Sequence, residues 1–254
     1  MEIERIRTQI SSERPNISKQ KEEDNKVQQS YNVKRDTIQI RLKKIADEEN
    51  KQSEELSQLN QEIGTLRVDL NDASVHVDLA KTKLESLNAP LMNTLLTYVD
   101  NPPPVFKYVM DLLTIMMDKP KSFGPKLFKE EKLIPILFEQ IVPQYMDTPT
   151  IEKAQKLFMR NKFDARDAGN VCAALLPFFE WGNAILKLAI IQHDLNEKEY
   201  LYQQKSDAYA DFVDGMRLEK ESIQQVQESL EKEIEEFQRG ANKVKSKENE
   251  FDAL

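Results

Sequence analysis

Few side chains in this 254-residue chain have the types and spacing needed for chemistry. Cys172 is the only cysteine, which excludes an internal disulfide and a cysteine-rich zinc site and fits a reducing compartment. It lies among apolar residues on a predicted helix, so we expect it to pack in the core. His76 and His193 have no predicted metal-spaced partner, and we expect no metal site. No G-x-x-x-x-G-K-S/T motif is present, so no phosphate-binding loop binds nucleotide.

Positive charge, in contrast, is concentrated in the middle of the chain. Residues 118–132 read DKPKSFGPKLFKEEK and contain Lys119, Lys121, Lys126, Lys129 and Lys132. A second group contains Arg160, Lys162 and Arg166, and Lys187 is a single cation further along. Clustered cations would speed association with an acidic partner and add salt-sensitive affinity. The alternative is that they form only a solvated helix surface.

Composition indicates what must position these cations. Only 39% of the residues are apolar and 31% are charged, which is too little apolar material for one globular core of this length. The net charge of −8 divides into −2 over residues 1–90, +1 over 91–190 and −7 over 191–254. Ten of the eleven prolines lie between Pro90 and Pro177. The centre is therefore cut into short helices, whereas the flanks can form long ones.

The first flank contains a heptad repeat. Its apolar residues follow alternating steps of three and four, typical of the seam of a left-handed coiled coil: Leu56, Leu59, Ile63, Leu66, Leu70, Ala73, Val77, Ala80, Leu84 and Leu87. The same phase extends back through Ile38, Leu42 and Ile45, with polar Glu49 and Gln52 between. From Pro15 to Leu87 this helix would be on the order of 110 Å long.

The last flank repeats the pattern less regularly. Its predicted seam contains Tyr202, Tyr209, Phe212, Met216, Ile223, Val226, Leu230, Phe237, Val244 and Phe251. The same seam is interrupted by Lys198, Lys205, Glu219, Glu233 and Gly240. The simplest arrangement pairs the two flanks with each other in antiparallel orientation. The alternative is that each flank dimerises with another chain.

The middle is predicted to be a small all-helical unit. Apolar stretches recur at 91–99, 105–117, 133–142, 151–159 and 171–191, and proline or glycine separates most of them. The NPPP sequence at 101–104 ends one helix and begins the next. Asp147, Thr148 or Thr150 is expected to cap the fourth of these helices, and Asp164 or Asp167 the fifth.

These patterns together predict an all-α fold. We expect a long antiparallel two-helix coiled coil, formed by an outgoing helix at 1–89 and a returning helix at 192–254. A globular bundle of about five to six short helices at 90–191 would cap it. The heptad-like sequence next to both ends of the chain suggests a fragment or a segment of a larger protein.

The order of these motifs resembles the stalk and microtubule-binding tip of a dynein heavy chain, over nearly the whole length. The most specific pieces are NPPPVFKYVMDLL at 101–113, LIPIL at 133–137 and VCAALLPFFEW at 171–181. Pro15 also lies where a proline resembles the stalk base of the family. The structural positions in the resemblance are Pro102, Pro103, Val171, Cys172, Pro177 and Trp181.

The resemblance implies a non-catalytic segment that binds the outer face of the α/β-tubulin dimer, without a cofactor. It implies a connection to an ATPase ring in the rest of a dynein heavy chain, in the cytoplasm and cytoskeleton or the ciliary axoneme. In that family, affinity is set by sliding one stalk helix along the other. The interrupted seams would penalise a shifted register less than an all-leucine seam. Alternatively, they are merely poor heptads near solvent.

The chain departs from the family in its basic residues. Relatives usually have lysine or arginine in the first tip helix, but this chain has no basic residue between Lys83 and Lys107, and Asp100 is acidic. Glu180 lies before Trp181, where relatives are often basic. The nine cations from Lys119 to Lys187 named above are therefore the candidate microtubule contacts.

Two other classes of partner are disfavoured. Nucleic acid is disfavoured because the chain is acidic and its basic residues do not alternate with aromatics. A membrane is disfavoured because the longest apolar run, in 184–191, is interrupted by Lys187 and is too short to span a bilayer. The alternative function is a structural coiled-coil protein whose central unit is a dimerisation hinge or adaptor.

Overall fold

The computed structural model describes residues 2–252, and within 2–17 and 243–252 it describes only some of the side chains. All regular secondary structure in this range is helical, which confirms the all-α prediction. The α-helices are α1 (Glu2–Glu85), α2 (Ala89–Leu96), α3 (Pro104–Met116), α4 (Gly124–Phe128), α5 (Leu133–Gln140), α6 (Thr148–Arg160), α7 (Ala165–Val171) and α8 (Leu175–Asp252). Two short 3₁₀ helices, Lys121–Phe123 and Pro143–Tyr145, lie before α4 and after α5.

The chain forms two compact units. The first contains Met1–Leu56 and Lys205–Leu254, and the second contains Ser57–Gln204. Helices α1 and α8 contribute to both units, and α8 continues without a break through the expected boundary at 191/192. Helix α1 likewise contains Pro15 rather than starting there, since a proline removes one helical hydrogen bond without preventing helix on both sides of it.

In the first unit, α1 and α8 pack together through a small apolar cluster. Its buried members are Ile38 and Ile45 of α1 with Ile223, Leu230 and Ile234 of α8. The rings of Tyr31 and Phe237 meet edge to face, with centroids 5.9 Å apart. Glu49 pairs with Lys220 and Glu55 with Lys205. Residues further along α1 contact residues nearer the start of α8, so the two helices are antiparallel within this unit.

The predicted seam of α8 is wrong at one apolar position. Val226 is 55% exposed, and Ile234 is buried. Glu219 and Glu233 are also exposed, so they do not interrupt the contact. After Met216, Lys220 is half-buried, and Ile223, Leu230 and Ile234 are buried. The step from Met216 to the next covered residue is therefore four residues, where the predicted seam has three. The side chains of Val244 and Phe251 lie outside the described residues.

Three of the other polar seam residues, Glu49, Lys198 and Lys205, form ion pairs with the facing helix, whereas Gln52 donates a hydrogen bond to Glu48 on its own helix. Lys205 Nζ donates to Glu55 Oε2 at 2.6 Å, and Lys220 Nζ donates to Glu49 Oε1 at the same distance. In the second unit, Lys198 donates to Glu62. These three charged residues therefore find oppositely charged partners on the facing helix.

Acidification is expected to weaken the pairing of α1 with α8. The hydrogen bond and charge of Lys205 lower the pKa of Glu55. Because its folded-state pKa lies below the unfolded value of roughly 4.3, the stability it contributes is present above that pH and lost as pH falls through the folded pKa. We expect Glu55→Gln to lower the thermal midpoint at pH 7 and to match the unmodified chain near pH 3. Glu54→Gln, at the exposed neighbouring position, is the control and should have little effect on the thermal midpoint. If the midpoint of Glu55→Gln lies equally far below that of the unmodified chain at pH 7 and at pH 3, the ionised Glu55 does not stabilise the pairing.

The core of the second unit is built around α3, which packs against α4, α6 and α7. Ten of its thirteen residues are buried, from Val105 to Met116. Helix α8 adds Phe178 and Trp181, whose rings lie 5.3 Å from those of Phe128 and Phe138. The ten predicted seam residues from Leu56 to Leu87 are all buried or half-buried; Leu56 belongs to the first unit, and Leu87 lies just after the end of α1. The predicted face of α1 is therefore the covered one.

Local signals place the ends of the short helices. Pro104 is the first residue of α3, as NPPP predicted. Asp147 accepts a hydrogen bond from the Thr150 N–H at 2.9 Å and caps α6. Asp164 caps α7 in a capping box with Asp167.

Cys172 does not lie on a helix, contrary to the sequence prediction. Helix α7 ends at Val171, and α8 begins at Leu175. Pro177 explains the break, because a proline is accepted in the first turn of a helix but would disrupt a helix continuing back to Val171. Cys172 lies half-buried in the connecting turn and packs against the core.

Gly124 permits close packing of α4 on α3. A Cβ atom added at Gly124 would lie 3.2 Å from the Cβ of Met110, an atom that cannot move without its backbone. We expect Gly124→Ala to lower the free energy of unfolding by about 1–2 kcal/mol in urea denaturation. Gly169→Ala is the control, because nothing lies within 4 Å of its added Cβ. It should be neutral or stabilising by up to about 1 kcal/mol, and equal losses for both variants would contradict the packing argument.

Candidate functional site

The predicted cations lie on several elements of the second unit. Lys119 follows α3, Lys121 begins the first 3₁₀ helix, Lys126 is in α4, Lys129 is the C-cap residue directly after α4, and Lys132 precedes α5. Arg160 ends α6, Lys162 lies in the following loop, Arg166 is in α7, and Lys187 is in α8. All nine are exposed. Since α4, α6 and α7 all pack on α3, both basic groups are positioned by the same central helix.

Two of the nine cations are used within the protein. Lys121 Nζ donates to Asp111 Oδ2 at 3.0 Å, and the Asp111 side chain is only 12% exposed. Lys129 Nζ donates to Asp100 Oδ1 at 2.6 Å, and both of these side chains are exposed. Lys121 therefore neutralises an acid on α3, whereas Lys129 neutralises the acid that follows α2.

The remaining seven cations form a free basic set. Within residues 2–252, no ion pair at 4.0 Å or less is found for Lys119, Lys126, Lys132, Arg160, Lys162, Arg166 or Lys187. Lys107 on α3 and Lys153 on α6 are also exposed without such a pair, and sequence reasoning missed both as candidates. In the sequence, each is a single lysine at a polar position of an amphipathic helix, and a single lysine indicates a binding site less strongly than a cluster of cations does.

Helix α2 offers no positive charge of its own. Asn88 caps it by accepting a hydrogen bond from the Leu91 N–H at 3.1 Å, and none of its residues is basic. The pair of Lys129 with Asp100 is the charge contact between the segment after α2 and the end of α4. Electrostatic attraction of an acidic partner would therefore come from the exposed cations outside α2.

The structural positions of the resemblance lie in or against the core. Pro102 and Pro103 are half-buried before α3, and Pro103 is its N-cap residue. Val171 is half-buried, and Pro177 and Trp181 are buried in the first turns of α8. These residues support the bundle and present no group for binding.

His193 has a helical partner that the sequence prediction overlooked. Its Nε2 lies 3.7 Å from Oε1 of Glu197, one turn further along α8. With Asp194, these residues form the group of possible metal ligands found among the described residues, with ligand atoms within 4.8 Å of one another. The same Nε2 also contacts Thr148 Oγ1 at 2.8 Å, so it already has a protein partner. His76 contacts the Asp72 carbonyl through Nδ1 at 2.7 Å, which requires that Nδ1 carry the proton.

Removing the charge of Lys121 is expected to destabilise the bundle. Lys121→Met would leave the nearly buried Asp111 carboxylate without its cation. Because the lysine itself is largely exposed, we expect a loss of about 1–2 kcal/mol in urea denaturation, less than for a fully buried pair. The double variant Lys121→Met with Asp111→Asn should recover much of it. If the double variant is no more stable than Lys121→Met, loss of the ion pair with Asp111 does not explain the lower stability.

No protein-family model matches the chain, and no curated protein matches it significantly. None of the helices within residues 2–252 combines the length and the apolar character needed to cross a bilayer.

Proposed function

We propose that this chain is a mechanical binding module of the dynein type. In this proposal α1 and α8 form an antiparallel coiled-coil stalk, and α2–α7 with the start of α8 form a small bundle that binds microtubules. The chain has no catalytic role, and its ATPase partner is a motor ring in the rest of a dynein heavy chain. The setting is the cytoskeleton of the cytoplasm or of a cilium.

The observation that carries the proposal is the pairing of α1 with α8 inside one chain. In the first unit the pairs run from Tyr31 with Phe237 to Glu55 with Lys205. In the second unit Glu62 pairs with Lys198, and Lys83 with Glu180 at 2.8 Å. Each unit by itself has the antiparallel order of a chain that leads out and returns. This order favours a stalk over a dimerisation hinge, which would need pairing between chains.

The free basic set supports binding to tubulin. Tubulin is acidic, and cations without intramolecular partners can approach an acidic surface without first breaking an ion pair. Five of the seven, all except Lys119 and Lys187, lie on or next to α4, α5, α6 and α7. The resemblance places three elements at the microtubule: the helix after the outgoing coil, the helix after the basic stretch at 118–132 and the last short helix, which correspond to α2, α5 and α7.

The cross-helix ion pairs support a stalk whose register can shift. Lys205 with Glu55 and Lys220 with Glu49 lie at the edge of the contact and remain partly exposed. Exposed pairs contribute little net stability, because solvent screens them and can replace each partner. A shifted register therefore loses less here than it would in a seam closed by leucine alone.

Co-sedimentation with microtubules at low and moderate salt tests the proposal. We expect the chain to pellet with microtubules at low salt and less at moderate salt, because exposed charges are screened. Sedimentation velocity should show a monomer. A helical, correctly folded chain that fails to pellet at low salt would overturn the microtubule proposal, and a dimer would favour the structural alternative.

A further inference from the structure

An apolar groove lies in the second unit where α1, α6 and α8 meet. It encloses about 430 Å³. Its walls are His76 of α1, Phe158 of α6, and Ala184, Leu186, Ile190 and Ile191 of α8. Asn183 and Lys187 complete the lining. All of these residues belong to one compact unit, so its walls are held together by that unit's own packing.

Helix α6 leaves large apolar side chains uncovered beside this groove. Ile151 and Ala154 are buried, and Leu157 packs against the core. Phe158 is 48% exposed and the adjacent Met159 is 67% exposed, although polar residues would serve a purely solvated face better. An uncovered large apolar side chain in the wall of a concave site, as Phe158 is here, is typical of a place where another molecule packs.

The charge of the groove specifies what could fill it. Lys187 is the only charged side chain in the lining, and it makes no ion pair within the described residues. Asn183 Oδ1 is already used, since it accepts a hydrogen bond from the Tyr108 hydroxyl at 2.5 Å, so the polar groups left in the lining are the Asn183 amide N–H groups and Nε2 of His76. The lining is thus mainly apolar with one positive charge, which favours a ligand surface that is apolar and carries a negative charge.

We propose that this groove docks an acidic amphipathic helix of a partner protein. Apolar residues at helical spacing would lie against Phe158, Ile190 and Ile191, and a carboxylate of the partner would pair with Lys187. A helix in an apolar groove is a common mode of peptide recognition, and its anchors lie on one face at steps of three and four. This assigns Lys187 a role apart from the other free cations and does not depend on microtubule binding.

Fluorescence polarisation with a designed peptide tests the docking site on the full chain. The probe is a fluorescein-labelled helix of about four turns, with leucines on one face and glutamates beside them. The control peptide has lysine in place of every glutamate. We expect the acidic peptide to bind with a Kd on the order of 10–100 µM and the basic peptide at least about tenfold more weakly. Lys187→Glu should reverse that preference.

Two matched substitutions separate this site from nonspecific apolar binding. Phe158→Ala should weaken the acidic peptide about tenfold, whereas Tyr145→Ala, at an aromatic residue 81% exposed and outside the lining, should not. Far-UV circular dichroism checks that both variants are folded. Equal weakening by both, or equal binding of the two peptides, overturns the proposal. Phe158 is not one of the residues proposed to contact tubulin, so Phe158→Ala should leave microtubule pelleting unchanged. The docking proposal and the microtubule proposal can therefore fail separately.

Discussion

Reversing the charges of Lys126 and Lys132 together is expected to weaken microtubule pelleting by at least about tenfold in Kd, roughly 1.4 kcal/mol. Both lysines are exposed and make no ion pair in the described part of the chain, so their reversal breaks no internal contact. Glutamate at each position would convert attraction to the acidic tubulin surface into repulsion. The binding curve from co-sedimentation at low salt measures the effect.

The matched control for this charge reversal is Lys43→Glu with Lys232→Glu. These lysines are equally exposed, one on each long helix, and they belong to the first unit. The net charge changes by the same amount in both double variants, so a general charge effect would weaken both equally. Equal weakening of both double variants would exclude the basic stretch at 118–132 as the contact with microtubules. The difference should also shrink as salt rises, because the Debye length falls to about 8 Å at physiological ionic strength.

Trp181→Ala is expected to lower the free energy of unfolding by about 3–5 kcal/mol. Trp181 is fully enclosed in the core of the second unit, and its ring lies 5.3 Å from that of Phe138. Truncation removes a large apolar surface from the core and leaves a cavity that the surrounding helices fill only in part. Urea denaturation followed by far-UV circular dichroism measures the loss, since the variant lacks the chain's only tryptophan.

Two further variants show whether this loss comes from core packing. Trp181→Phe keeps part of the apolar volume and should lose clearly less than Trp181→Ala. Tyr145→Ala removes an aromatic ring that is exposed, so it should change stability by less than about 0.5 kcal/mol. A loss below about 1 kcal/mol for Trp181→Ala would mean that the bundle does not depend on this anchor.

The sequence predicted the long outgoing helix well because its signals are local. Ten residues from Leu56 to Leu87 repeat at coiled-coil spacing, which places them along one face of a helix. A neighbouring element that packs on this face therefore buries all of them together. Asp147 and Asp164 act as caps because each needs only backbone N–H groups within three residues. Pro104 begins α3 for a similarly local reason.

The returning helix shows where local signals are insufficient. Val226 and Ile234 are both apolar, and a heptad pattern interrupted by polar residues fits either one. Only the facing helix decides between them, and contact with α1 leaves Val226 exposed and buries Ile234. The same holds for Lys198 and Lys205, which interrupt the pattern in sequence but pair with Glu62 and Glu55, more than 130 residues away.

By itself, the sequence determined that residues 2–252 are all-helical, where most of the helices break, and where the positive charge is concentrated. These properties depend on periodicity, proline and capping side chains, which act within one or two turns of backbone. Only the tertiary structure decided that Lys121 and Lys129 are paired, that Lys126 and Lys132 are free, and that Phe158 and Lys187 share a groove. Those outcomes depend on which distant segments the folded chain brings together, and no local pattern records that.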